Sequence, residues 1–134
     1  MKLFRFLNNL WNFKKELWEY QKYDYSYSLM MFKKAISLQK KDLKDDETLF
    51  AQVSRMEFLL TSVINDDYVE RAEKELNIIA KSRFKIVNNE YVNLATPEDK
   101  ANIRLIYELA MKTERTEWDE LCLSFKENLR KFWS

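Results

Sequence analysis

Three glutamate pairs, Glu16/Glu19, Glu70/Glu73 and Glu117/Glu120, stand at the spacing that sets two carboxylates on one face of a helix. Carboxylates in that arrangement can ligate magnesium without glycine or histidine. A second cluster with chemical potential runs from Leu17 to Ser28, where Trp18, Tyr20, Tyr23, Tyr25 and Tyr27 crowd beside Lys22 and Asp24. Aromatic rings beside cations can anchor a protein interface or stack on nucleobases.

The rest of the composition narrows the chemistry sharply. The 134 residues contain no glycine and no histidine. Phosphate-binding P-loops, the dinucleotide GxGxxG, the nucleophile elbow GxSxG and the zinc HExxH each need one of them, so all four are excluded. One cysteine cannot form an internal disulfide or a cysteine-based zinc site. Cys122, set among Leu121, Leu123 and Phe125, reads as a small core hydrophobe. The all-helical nucleotide pyrophosphohydrolases follow ExxE with a nearby ExxD, and no glutamate pair here is followed in that way. With 22 acids in the chain, the pairs read as solvated helix faces. No catalytic residue, metal ligand or cofactor is expected.

The elements that would position these residues are helical. Leu3, Leu7, Leu10, Trp11, Phe13, Leu17 and Trp18 give the stretch Lys2 to Glu19 a broad apolar face. Asp24 caps a second helix striped by Tyr25, Leu29, Phe32, Ile36 and Leu43, and Asp45-Asp46-Glu47 opens a third carrying Leu49, Val53, Met56, Leu60 and Val63. Val69, Ala72, Leu76 and Ile79 mark a fourth, with Glu70, Arg71, Glu73 and Lys74 on its solvated side. Residues 83–95 lack helical periodicity and read as a small hairpin or an irregular loop around Asn88-Asn89. Thr96-Pro97-Glu98-Asp99 then launches a helix. The apolar stripe from Ile103 to Phe132 either breaks near Thr113–Thr116 or continues as one long helix. The expectation is all-α: a single helical domain over 1–134, a compact bundle of five or six helices.

Charge is uneven. Residues 1–44 carry ten Lys/Arg against four Asp/Glu, a surplus of six, within a chain of net charge +1. Arg5, Lys14, Lys15, Trp11 and Trp18 fit the recipe of a helix that seeks a membrane surface. The preferred reading instead docks the first helix on the bundle with its basic side outward. No apolar run is long enough to cross a membrane or to serve as a secretory leader, so no membrane is expected as a partner. Nucleic acid is not expected as a partner either.

Three stretches, in this order, resemble a group of small, largely uncharacterised helical proteins of tailed bacteriophages. They are LWEYQKYDYSYSLMMFKKAI with its Trp-rich lead-in, FLLTSVINDDYVERAEKEL, and the aromatic-ended TEWDELCLSFKENLRKFWS. The resemblance implies a phage accessory protein in the host cytoplasm and transfers no catalytic residue. The expected function is non-enzymatic: binding a host or phage protein, with a host defence or metabolic factor as the target. Trp18, Tyr20, Tyr23, Tyr27, Phe132 and Trp133 are the expected contacts, either with a partner or in a homo-oligomer. The alternative is an oligomer that sequesters defence nucleotides in a pocket built from Tyr23, Tyr27, Lys33 and Lys34. A magnesium-dependent pyrophosphohydrolase and a structural virion protein are the remaining readings.

Overall fold

The computed structural model describes residues 1–79 and 83–133, and these are mostly helical. Five α-helices occur among them: α1 (Lys2–Glu19), α2 (Tyr25–Asp42), α3 (Glu47–Asn65), α4 (Tyr68–Leu76) and α5 (Pro97–Asn128). A two-stranded hairpin, β1 (Phe84–Val87) and β2 (Glu90–Asn93), precedes α5, and a 3-10 turn over Leu129–Trp133 follows it. No helix among the described residues is long and apolar enough to cross a membrane.

Helix starts follow local hydrogen bonding. Asp24 Oδ1 accepts from the Ser26 N–H at 2.9 Å, and Asp46 Oδ1 accepts from the Leu49 N–H at 3.0 Å. Each satisfies one of the donors that a helix leaves free at its first turn. Before α5 the cap is reciprocal: Thr96 Oγ1 accepts from the Asp99 N–H, and the Thr96 N–H donates to Asp99 Oδ2, both at 3.1 Å. Arg83 Nε lies 3.2 Å from the same carboxylate oxygen. The threonines at 113 and 116 do not interrupt α5, because Thr116 Oγ1 donates back to the Lys112 carbonyl at 2.9 Å instead of competing for a turn.

Left-handed backbone, the usual province of glycine, falls here to Asp66, Asn77, Asn88 and Asn89. Asn77, at φ 54°, ends α4 at Leu76. Ile79 therefore lies outside the helix and is exposed, where the apolar spacing had extended the stripe to it. Asn88 and Asn89, at φ 53° and 64°, make the two-residue turn of the hairpin, which pairs Val87 with Glu90 and Phe84 with Asn93.

The described chain packs as two units, one of residues 1–65 with the stretch from Trp118 onward, the other of residues 66–117. The core of the first gathers Ile36 from α2, Val53, Met56, Leu59, Leu60 and Val63 from α3, Leu121 from α5 and Phe132 from the closing turn. Phe32 meets Phe125 edge-on at 5.1 Å beside it. Burying each large side chain of this kind contributes about 1.5–3 kcal/mol. The smaller core of the second unit joins Tyr68 and Ala72 of α4 to Ile106 and Ala110 of α5. Cys122 belongs to neither core. It is exposed, because Leu121 occupies the inward position and the next residue is turned about 100° around the helix.

Candidate functional site

The aromatic strip sits where α1 hands over to α2. Tyr20 follows α1 in extended conformation, and the Asp24 cap restarts the helix, so Trp18, Tyr20, Tyr23, Tyr25 and Tyr27 fall on two helix ends and the link between them. Trp18 and Tyr23 are each 91% exposed, and Tyr20 and Tyr25 are also open, while Tyr27 is half-buried. Lys22 holds its ammonium 4.9 Å from the centre of the Tyr23 ring. Two large rings thus stand in solvent, one in the last turn of α1 and one on the short link that follows it.

The closing aromatics divide. Trp133 is 52% exposed, with its ring centre 6.5 Å from that of Phe132. Phe132 itself is 1% exposed, which corrects its assignment as a contact residue. The amide nitrogen of Gln39 donates to the Phe132 carbonyl, tying the chain end to α2 and turning this ring into the core.

Lys33 and Lys34 are half-buried and border a groove of about 330 Å³ with Lys15, Glu16, Ser37 and Asn65. Neither Tyr23 nor Tyr27 lines it, so the four residues expected to share a nucleotide pocket are not brought together there. Next to this groove, burial pushes the Glu57 carboxyl up. Hydrogen bonds from Ser37 at 2.5 Å and Lys40 at 3.3 Å, with the Lys40 and Lys33 charges, outweigh burial and hold it below the usual carboxylate range.

The helix that carries Trp18 is oriented against expectation. The residues of α1 that lean on the rest of its unit are Asn12, Phe13, Glu16 and Glu19, and none of its side chains is fully buried. Leu3, Phe4, Leu7, Leu10, Trp11 and Trp18 are exposed. The docking reading is thereby corrected in part: the cations Lys2, Arg5, Lys14 and Lys15 do face outward, but most of the apolar face is outward as well. Phe6, Leu10, Phe13 and Leu17 of α1 and Met31 of α2 border an apolar groove of about 440 Å³ along this edge.

The glutamate pairs are divided among other tasks. Arg55 forks onto Glu120, with Nε and Nη2 each 2.8 Å from a carboxylate oxygen, and this holds the Glu120 carboxyl below its ordinary range. Glu117, read from sequence as solvated, is 4% exposed and is held by Arg71. No group of three or more potential ligands is placed to hold a metal ion among the described residues.

Sequence reasoning missed the polar node around Tyr68. That phenol is 3% exposed, its hydroxyl has no hydrogen-bond partner among the described residues, and Glu117, Glu114, Asp67 and Arg71 all act on it electrostatically. The signal available was the apolar-to-charged spacing Tyr68-Arg71, which places both residues on one face of α4.

No protein-family model, no curated protein and no solved structure matches the chain.

Proposed function

We propose that the protein works by contact and not by catalysis, binding a protein partner through the aromatic strip at the α1–α2 link. The observation that carries this reading is the exposure, 91% each, of Trp18 at the end of α1 and Tyr23 on the link that the Asp24 cap closes. Tryptophan and tyrosine left in solvent contribute little to folding. At an interface they supply large contact area at low entropy cost. Tyr20, Tyr27 and Trp133 complete the assigned contacts. The resemblance to helical phage proteins makes the partner a host or phage protein met in the host cytoplasm, with a defence or metabolic factor as target.

The test is native mass spectrometry of the tagged chain purified gently from the expressing host, beside a variant with alanine at 18, 20, 23 and 27. A stoichiometric protein partner is expected with the parent and not with the variant, while circular dichroism stays the same. Retention of the partner by the variant overturns the assignment.

A second reading, an oligomer that sequesters nucleotides, is favoured by the groove where Lys15, Lys33, Lys34 and Ser37 converge. It requires a rise in melting temperature with a nucleotide, since tight binding raises apparent stability. An unchanged temperature across cyclic and linear nucleotides removes it.

A further inference from the structure

Apart from Trp18, the outward face of α1 has a composition and an orientation that the protein-contact reading does not use. At 3.6 residues per turn, Phe6, Leu10, Leu17, Leu3, Leu7, Trp18, Trp11 and Phe4 fall on one side of the helix, an apolar arc about half its circumference. The opposite side, Asn12, Glu16 and Glu19, is the one that meets the protein. Both acids of α1 are thus half-buried, whereas its cations, Lys2, Arg5, Lys14 and Lys15, are all exposed. Every exposed charge on this helix is positive.

We propose that α1 is an interfacial helix that seats the protein on an anionic lipid surface, with Leu3, Phe4, Leu7, Trp11 and Trp18 entering the headgroup boundary. Charge complementarity selects the lipid class: an apolar arc with Lys14 at its middle and Lys2 and Lys15 beside its borders matches a surface of phosphates. Lys14 selects a membrane over a protein groove or a second copy. It lies in the middle of the arc, between Leu3 and Leu7 around the helix, and its ammonium rests 3.6 Å from the centre of the Trp11 ring. A closed groove would bury that charge, and pairing of two such faces would bury it against the apolar arc or against its own counterpart. At a membrane a lysine extends its apolar stem along the helix and leaves its ammonium among the phosphates. The helix has 18 residues, about 27 Å of length, enough to lie along the surface with the body of its unit on the side away from the lipid.

The test is co-flotation of the full chain with phosphatidylglycerol/phosphatidylcholine vesicles and with phosphatidylcholine vesicles alone. Binding is expected to the anionic vesicles, to fall with added salt, and to fall roughly fivefold for each cation removed in Lys14→Gln and Lys15→Gln. Leu7→Glu is expected to abolish it with an unchanged circular dichroism spectrum, because Leu7 is more than half exposed and belongs to neither core. Failure of the parent chain to float with anionic vesicles at low salt overturns the proposal, as does binding that survives Leu7→Glu. A stable dimer that Leu7→Glu splits, without lipid binding, assigns the face to a second copy and overturns it equally. Alanine at Tyr20 and Tyr23, which belong to the protein-contact reading, leaves vesicle binding unchanged, so the two readings fail separately.

Discussion

Arg71 on α4 holds Glu117 on α5 through one nitrogen, whose contacts to the two carboxylate oxygens measure 2.6 and 3.1 Å. The hydrogen bond to Glu117 raises the Arg71 pKa further above its already high value, so the guanidinium keeps its charge. Arg71→Ala leaves a buried carboxylate without its main counter-charge and is expected to cost about 3–5 kcal/mol in urea unfolding. Arg71→Met combined with Glu117→Leu recovers most of that loss, since apolar residues of similar volume remove the desolvation penalty altogether.

Tyr68 makes stability fall in alkali. Burial, then the Glu117 and Glu114 charges, push its phenol from 10.0 up to about 12. A raised folded value means that the folded state holds this proton more tightly than the unfolded chain does. The contribution is therefore whole below pH 10 and is lost as pH climbs toward 12, a decline of about 2–3 kcal/mol for a shift of this size. Tyr68→Phe is expected to remove the decline. Because the hydroxyl is unpartnered, the same variant is expected to be as stable as the parent, or about 1 kcal/mol more so, at pH 7. Denaturant midpoints measured from pH 8 to 12 for both proteins check the two statements together.

Helix-forming segments were legible wherever an apolar stripe and a capping side chain coincided. Lys2 to Glu19, the Asp24 cap, the stripe from Val53 to Val63 and the Thr96-Pro97 start all appear where spacing placed them. What spacing could not supply was direction. The stripe on α1 marks an apolar face, but only tertiary structure reveals that Asn12, Glu16 and Glu19 take the inner side. The same limit hid the burial of Glu117, because periodicity cannot announce an arginine arriving from another helix. Phe132 and Cys122 failed oppositely: Cys122 sits in an apolar string and Phe132 follows Arg130-Lys131, yet their place on the turn or helix, not their neighbours in sequence, decided which one is buried. At the aromatic strip the crowding itself was legible, since alternating rings cannot all face one side of a helix.

The two final aromatics separate core from surface. Phe132→Ala is expected to cost about 3–5 kcal/mol, the range for emptying a buried aromatic site. Trp133→Ala, at a half-open position, is expected to cost under about 1 kcal/mol. Thermal unfolding of the two variants side by side gives the comparison, and equal losses would contradict the burial of Phe132.

The hairpin turn depends on asparagine's tolerance of left-handed backbone. Asn89 sits at φ 64°, where a β-branched residue is strained. Asn89→Val is expected to weaken the hairpin by about 1–2 kcal/mol, and Asn89→Gly to match or slightly strengthen it. Amide hydrogen exchange across β1 and β2 reads this directly, since both strands are exposed and have little packing to mask the turn.

Filling every left-handed position among the described residues with Asp or Asn has a consequence for the unfolded chain as well. Glycine is the residue with most backbone freedom to lose on folding, and replacing it where geometry permits stabilises a protein by about 0.4–1 kcal/mol per site through the denatured ensemble. A chain of 134 residues without one glycine therefore starts from a narrower set of conformations. That lower starting entropy favours folding wherever the native backbone is unstrained, a contribution that no contact in the folded structure reveals.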